Sequence, residues 1–274
     1  MIIDSVIIVA VIGIIAGIVL TLADKFMNVP LGEGVKKIRD ILPGVNCGAC
    51  GFAGCDEYAE KLAAGETKTN LCIPGADAVS HGISGVLGTP FEDVIEMRTI
   101  IKCSGSCEKT KHAIEYKGPQ TCEACYAMYG GTGKCSSACL GFGDCVGVCQ
   151  YNAIYIYNGI AVVDTKNCTG CGMCETKCPK GIIKSVPQTS RVYVACSSTD
   201  TAANVRKACA SGCIGCKRCE KVCPEDAIKV ENNLAAVDIL KCTNCESCKE
   251  ACPVNAIYIL EDVGVVTAEP IMIN

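Results

Sequence analysis

Three stretches of the chain repeat one cysteine spacing: Cys168-Cys171-Cys174-Cys178-Pro179, Cys213-Cys216-Cys219-Cys223-Pro224 and Cys242-Cys245-Cys248-Cys252-Pro253. Each reads C-x2-C-x2-C-x3-C-P. Three thiolates this close suit one [4Fe–4S] cubane, while the fourth, set apart, reaches a neighbouring cluster. The proline removes an N–H that would otherwise need a partner at that turn. Zinc also uses C-x2-C pairs, but it needs only four ligands per site and seldom repeats a third close cysteine with a distant fourth. A secreted disulfide scaffold is a poor reading of metal-ligand spacing, and no cleavable signal is evident. The chemistry these residues offer is one-electron transfer.

A fourth group is altered. KCSSACLGFGDCVGVCQYNAIYI aligns with ACASGCIGCKRCEKVCPEDAIKV, setting Cys135, Cys139, Cys145 and Cys149 against Cys209, Cys213, Cys219 and Cys223. Phe142 takes the place of Cys216, and Gln150 that of Pro224. Upstream, IIKC at Cys103 matches VYVAC at Cys196. Downstream, each half runs strand, turn, strand around Asn158-Gly159 and Asn232-Asn233, the first a strong hairpin signal, and then closes with an intact motif. This is a duplicated module with the spacing of bacterial ferredoxins. Crossing of the fourth ligands predicts clusters on Cys213, Cys216, Cys219 and Cys252, on Cys242, Cys245, Cys248 and Cys223, and on Cys168, Cys171, Cys174 and Cys149. The altered site has Cys139, Cys145 and Cys178. Cys135 is the expected substitute for the ligand lost at Phe142; the alternatives are a [3Fe–4S] cluster or a foreign ligand.

A separate group, Cys47, Cys50, Cys55 and Cys72, surrounds glycines that let the backbone wrap a ligand, with a helix expected over 56–64 to return the chain. It fits a fifth [4Fe–4S] cluster, with a zinc knuckle as the alternative. Cys103, Cys107, Cys122 and Cys125 are a candidate extra site for a cluster or zinc, against the alternative of buried free thiols. Cys196 and Cys209 are left without a role. His81 and His112 read as surface residues, and no acid–base or nucleophile motif is present.

The elements that must hold these groups follow from the pattern. With 26 Cys and 20% charged residues in 274, a chain stapled by clusters can build small modules without a large core. The fold class expected is α+β: an N-terminal transmembrane helix (1–26), a small helical [4Fe–4S] domain with linker (27–90), and two tandem ferredoxin-like modules with short β-hairpins (91–190, with a Cys-rich insertion, and 191–274). Val35, Ile38, Ile41 and Leu42 mark an amphipathic stretch, and 73–102 reads as a linker with a helix cap. Val6 to Ala23 is an uncharged run of 18 residues, close to the bilayer thickness. Asp4 precedes it and Lys25, Lys36, Lys37 and Arg39 follow, which places the bulk of the chain on the cytoplasmic side of the cell membrane. Ligated iron agrees with a reducing compartment. The net charge of −4 and the absence of an aromatic-interleaved basic patch exclude nucleic acid as a partner.

One apolar helix, then CGACGFAGCDEYAEKLAAGE with its closing Cys72, then ferredoxin modules, resembles the B-subunit family of Rnf complexes over essentially the whole chain. The resemblance implies a membrane-bound ferredoxin:NAD+ oxidoreductase that couples electron flow to Na+ or H+ translocation. The family's members accept electrons from soluble reduced ferredoxin and pass them to other Rnf subunits in the membrane. No Rossmann fingerprint or flavin attachment motif is present, so NAD and flavin are expected on partner subunits. A membrane-anchored polyferredoxin serving a hydrogenase or formate-type enzyme is a second reading, and a zinc-stapled scaffold a third. Lys207, Arg206, Lys217 and Arg218 form a candidate patch for an acidic ferredoxin, with ordinary solvated charges as the alternative.

Overall fold

The computed structural model describes residues 2–27 and 32–260, and within the first helix the side chains of Ile7 and of residues 10–22. The start of the 27–90 segment and the end of the 191–274 segment lie partly outside the described residues, as do the side chains of Asp4 and Lys25. Helix α1 runs Ile2–Met27 without a break, 26 residues, so it is about 39 Å long. Ile12, Ile14, Ile15, Ile18, Val19 and Leu20 are each more than half exposed. Over the described residues, no helix is long and apolar enough to cross a membrane. The expected segment over 1–26 is thus present as a helix.

Three helices follow: α2 (Glu33–Ile41), α3 (Cys55–Ala63) and α4 (Ala76–Leu87). The amphipathic stretch turns Ile38 and Leu42 inward, where they meet Tyr58, Ala59, Leu62 and Ile83. The segment read as a linker contains α4, which ends where Gly88 adopts φ 67. Its apolar pattern is diluted by Ser80, Gly82 and Ser84, which have local jobs. Ser80 donates to the Glu92 carbonyl (2.9 Å) and Ser84 to Thr69 Oγ1 (3.2 Å). A Cβ at Gly82 would lie 3.0 Å from Ile41, so α2 and α4 touch there.

The remainder is one small topology built twice. In the first copy β1 (Met97–Ile101) pairs antiparallel with β4 (Ile183–Pro187), and β2 (Ile154–Tyr157) with β3 (Ile160–Val163). In the second, β5 (Val192–Val194) pairs with β8 (Ile257–Ile259), and β6 (Ile228–Glu231) with β7 (Leu234–Val237). Both inner hairpins turn on two left-handed residues: Asn158 and Gly159 at φ 47 and 78, Asn232 and Asn233 at φ 47 and 64. That geometry matches the twist of the strands it joins. Short helices complete each copy: α5 (Cys122–Tyr129), α6 (Asp144–Gly147) and α7 (Met173–Lys177) in the first, α8 (Ala202–Ala208), α9 (Arg218–Val222) and α10 (Ser247–Glu250) in the second. Each copy has its own core, in which cysteines sit among small and branched residues such as Ile154, Ala161 and Ile183, or Ile228, Ala235 and Ile257. The copies meet where Ile100 packs with Tyr193, Ala195 and Leu260. Paired backbone bonds, Lys111 N–H to the Ala208 carbonyl (3.2 Å) and Ala210 N–H to the Lys109 carbonyl (2.8 Å), cross the same junction.

Two neighbouring glycines allow a direct test of how the cysteine loops press on the strands. Gly170 and Gly172 both adopt left-handed φ, 69 and 76, but a Cβ at Gly170 would lie 2.5 Å from the Met97 carbonyl oxygen, whereas one at Gly172 meets only Ser185 Oγ at 3.8 Å. Gly172→Ala is expected to cost about 1–2 kcal/mol, the left-handed penalty alone. Gly170→Ala is expected to cost clearly more, because backbone must also move. Thermal unfolding of the two full-length variants measures the difference, and equal losses would count against the contact.

Candidate metal centres

The intact motifs share a backbone conformation that turns three sulfurs to one side. The second residue after the first cysteine and the residue after the middle cysteine are left-handed in each: Gly170 and Gly172, Gly215 and Lys217 (φ 62 and 59), Asn244 and Glu246 (φ 57 and 65). Three residues after the fourth cysteine the chain is left-handed again, at Gly181, Asp226 and Asn255. This reversal sends the next N–H back to the sulfur: Ala227 N–H donates to Cys223 Sγ and Ala256 N–H to Cys252 Sγ, both at 3.3 Å. Such N–H donors stabilise a ligating thiolate and raise the potential of the group it holds.

The second copy gathers its cysteines in the crossed sets. Cys213, Cys216, Cys219 and Cys252 line one cavity of about 20 Å³; Cys223, Cys242, Cys245 and Cys248 line another of the same size. In the first copy Cys174 has Cys168, Cys171 and Cys149 as neighbouring thiols, and Ala153 N–H donates to Cys149 Sγ at 3.3 Å. Among the described residues no three His, Cys, Asp or Glu side chains close on a single metal ion. A tetrahedral zinc site would draw its sulfurs to about 3.8 Å of one another, given a Zn–S bond near 2.3 Å. Cages of four cysteines with amide donors at the sulfurs fit a four-iron cubane.

Cys47, Cys50, Cys55 and Cys72 form a cage built by helices rather than strands. Asn46, at φ 50, accepts Cys55 N–H on its side-chain oxygen (2.8 Å), which fixes the first turn of α3. Tyr58, on the buried face of α3, donates to the Lys68 carbonyl (2.8 Å) and accepts Leu71 N–H (3.3 Å), so it ties down the return to Cys72. Burial pushes the Cys72 thiol up to about 11, with Cys55, Cys47 and Cys50 adding to the shift. Cys171 also raises Cys47, after burial, and Tyr151 feels Cys171, Cys47 and Cys72 together. The helical cage therefore abuts the one at Cys168–Cys174.

The altered motif keeps the loop and changes the cysteine brought to it. Gly141 and Gly143 are left-handed at φ 75 and 85, as at the intact sites, so Phe142 occupies the middle-cysteine position on an unaltered backbone. Cys139, Cys145 and Cys178 line a cavity of about 20 Å³, and the fourth cysteine there is Cys122. Cys135, the expected substitute, is not among them; it faces the second copy, in a cavity with Cys103, Cys196 and Cys209. The physical reason is Asp144. Its two carboxylate oxygens accept Cys122 N–H (2.8 Å) and Glu123 N–H (3.0 Å), pinning the N-terminus of α5 over the cage. Thr121 caps the same turn by accepting Ala124 N–H. The Phe142 ring packs on Tyr116 (5.5 Å between centroids), and Lys180 donates to the carbonyls of Gly130 and Ser136 while lying 5.0 Å over the Tyr126 ring. The insertion is thereby folded onto the site.

The expected extra group of Cys103, Cys107, Cys122 and Cys125 does not assemble. Cys103 and Cys122 go to different cavities. Cys107 is exposed, with its N–H on the Asn158 carbonyl, and Cys125 is fully buried on the inner face of α5. His81 and His112 are both exposed, His81 stacked on Phe91 at 3.5 Å.

Burial pushes the Cys103 and Cys145 thiols up to about 12 and those of Cys174, Cys219 and Cys248 to about 11. Without metal these thiols are neutral at pH 7, so iron must displace their protons, and loading is favoured as pH rises.

Cys122→Ser is expected to lower bound iron by up to about four atoms per chain, or to convert one site to a three-iron cluster visible by EPR, while Cys125→Ser leaves iron unchanged. Adding Phe142→Cys to Cys122→Ser should restore the loss, because the loop is already shaped for a middle cysteine. Iron content unchanged in Cys122→Ser would show that α5 does not supply the ligand.

Comparison with known proteins finds iron–sulfur domains over three stretches of the chain. An Fe-S cluster family model matches residues 42–74, a 4Fe-4S dicluster domain residues 212–256, and a 4Fe-4S binding domain residues 161–184. The chain is 38% identical over 232 residues to the B subunit of the Na(+)-translocating ferredoxin:NAD(+) oxidoreductase complex of Acetobacterium woodii, covering 84% of this chain and 70% of the relative. It is 40% identical over 234 residues to the B subunit of the proton-translocating ferredoxin:NAD(+) oxidoreductase complex of Clostridium ljungdahlii (85% and 82%). It is 34% identical over 237 residues to the B subunit of the ion-translocating oxidoreductase complex of Methanosarcina acetivorans (86% and 90%). With a helical four-cysteine cage followed by two ferredoxin-like copies, and with relatives of this kind matched over most of their length, the chain belongs to the B-subunit family of ion-translocating ferredoxin:NAD+ oxidoreductase (Rnf) complexes.

Proposed function

We propose that this chain is the electron-transfer subunit of an Rnf complex, taking electrons from soluble reduced ferredoxin at its second ferredoxin-like copy and delivering them at the Cys47–Cys72 cage to partner subunits in the membrane. The observation that carries the reading is the succession of four-cysteine cages between those two ends. [4Fe–4S] clusters, held by the cysteines named above, supply one-electron couples at low potential. The chain's own residues do the positioning. Left-handed loop residues aim the sulfurs, and backbone N–H groups bond to Cys149, Cys223 and Cys252.

The direction is supported by exposure. Among the predicted ligands, Cys216 and Cys245 are exposed, and both belong to the second copy; Lys217 and Arg218, beside Cys216, are exposed as well, as are Arg206 and Lys207. Cationic groups at an exposed cage suit an acidic soluble donor. At the other end, the Cys47 cage begins 20 residues after α1. Helix α1, uncharged from Val6 to Ala23, is the membrane anchor in this reading, with the divisions at 26, 90 and 190 separating anchor, helical domain and the two copies. Its uncharged run offers no group for ion passage, so Na+ or H+ translocation, NAD and flavin belong to partner subunits.

Two measurements test this. Membranes from cells lacking the chain should lose NADH formation from reduced ferredoxin, and retention of the full rate would exclude the assignment. In complexes carrying Lys217→Glu with Arg218→Glu, the KM for ferredoxin should rise roughly tenfold at low salt with kcat kept, the difference shrinking as salt screens the charges. A salt-independent KM equal to that of the parent would move the docking face elsewhere.

A further inference from the structure

We propose that Cys103, Cys135, Cys196 and Cys209 hold a sixth [4Fe–4S] cluster at the junction of the two ferredoxin-like copies. The four line a single cavity of about 20 Å³, the size found at the Cys139–Cys178 cage and at both cages of the second copy. No matched family model covers any of the four. All four thiols are free, none paired as a disulfide.

The internal repeat explains why four cysteines scattered along the chain from Cys103 to Cys209 meet. Cys103 and Cys196 are equivalent in the alignment, as are Cys135 and Cys209, so each copy contributes the same pair. The equivalence extends to hydrogen bonds. Cys139 N–H donates to Cys103 Sγ at 3.4 Å, and its counterpart Cys213 N–H donates to Cys196 Sγ at 3.3 Å. The walls are locked across the junction: Ser197 donates to the Lys102 carbonyl (3.0 Å), and Ser211 to the Ser104 carbonyl (3.2 Å), with Ser211 Oγ also 3.6 Å from Cys209 Sγ.

The space between the sulfurs is kept open. A Cβ at Gly105 would lie 3.5 Å from Cys209 Sγ and 3.6 Å from Cys103 Sγ, so these two sulfurs flank a glycine and are at most about 7 Å apart. Four thiolates lining one cavity fit a cubane that spans the cage. Four thiolates are the usual ligand set of such clusters.

The position gives the site its role. Through Cys139 it is one hydrogen bond from a ligand of the first copy's nearer cage, and through Cys213 one from a ligand of the second copy's. One electron arriving from either side can be held here and released to the other, with no bond made or broken and no proton required. This rests on reading the chain as an iron–sulfur conductor, but not on the identity of its donor or acceptor.

The test uses the full-length chain, reconstituted anaerobically with iron and sulfide and analysed for iron, acid-labile sulfide and zinc, with Mössbauer and EPR quantitation. The parent is expected to hold about 24 iron atoms, six four-iron clusters, rather than about 20. Cys103→Ser with Cys196→Ser, one ligand from each copy, should remove about four, and Cys107→Ser should remove none. A parent count near 20, an iron content unchanged by the double substitution, or one zinc per chain lost with that substitution would overturn the proposal. Should the double variant lose more than four because it misfolds, the parent count decides. These readouts are independent of NADH formation, so failure of the ferredoxin assignment and failure of this site are separable.

Discussion

The structure depends on a thiolate set drawn from distant points in the chain. A copy of about 70–90 residues cannot bury enough apolar surface to fold alone with much margin, and here the cysteines are themselves the centre of each core, flanked by Ile154, Ala161 and Ile183 in one and by Ile228, Ala235 and Ile257 in the other. Two-stranded sheets of three to five residues are marginal by themselves. The fourth cysteine of each motif crosses to the other motif's cage, as Cys252 does to Cys213 and Cys223 to Cys242. Ligation therefore closes long loops, and folding of the strands and assembly of the cages are one process. It also follows that hydrogen bonds to sulfur are structural as well as electronic: the N–H of Ala153, Ala227 or Ala256 ends a turn and bonds a thiolate in the same contact.

Duplication supplies the architecture, and its imperfections supply the specificity. The first copy has lost a cysteine at Phe142 and gained an insertion whose helix α5 brings Cys122 to the cage. The replacement is held by an acid that exists only in the altered loop: the counterpart of Asp144 in the second copy is Arg218. Asp144 accepts two helix N-terminal N–H groups that would otherwise be unpartnered. The same insertion leaves Cys135 free to face the second copy. A local exchange of one cysteine for another in a cage is thus linked to the junction between copies.

Much of this was legible in the residues, and the limit is physical. The crossed sets in the intact motifs follow from C-x2-C-x2-C-x3-C-P because a short loop admits only one way to aim three sulfurs. The hairpin at Asn158-Gly159 follows from turn chemistry, and the inward face of α2 from the spacing of Ile38 and Leu42. Cys122 was not legible because its placement depends on a tertiary contact, Asp144 to an N-terminus far upstream in sequence, that leaves no spacing signature; the aspartate two residues after Phe142 was the available clue. Helix α4 was hidden because its buried positions are filled by Ser80 and Ser84, whose hydroxyls are satisfied by Glu92 and Thr69. The pairing of Cys103 with Cys196 and of Cys135 with Cys209 was visible as an alignment, but not that equivalent residues would meet each other.

The meeting of equivalent residues bears on why a duplicated ferredoxin-like chain is useful at all. Two compact copies joined by a short connector would leave their cages apart, since each copy buries its own sulfurs in its own core. Electron transfer through protein falls off steeply with distance, so a chain of carriers is limited by its widest gap. The junction places β1 against β5 through Ile100 and Tyr193, and in doing so brings the segments following both strands, Cys103 and Cys196, to one cavity. The contact that fixes the two copies rigidly is then the same contact that narrows the gap between them. Sequence order and spatial order differ as a result. From the helical cage, the neighbouring thiols lead to Cys171, then from Cys174 to Cys145, then from Cys139 to Cys103, and from Cys196 to Cys213. Continuity along that line is a property of the fold, and the repeat is what makes it hold from one copy to the next.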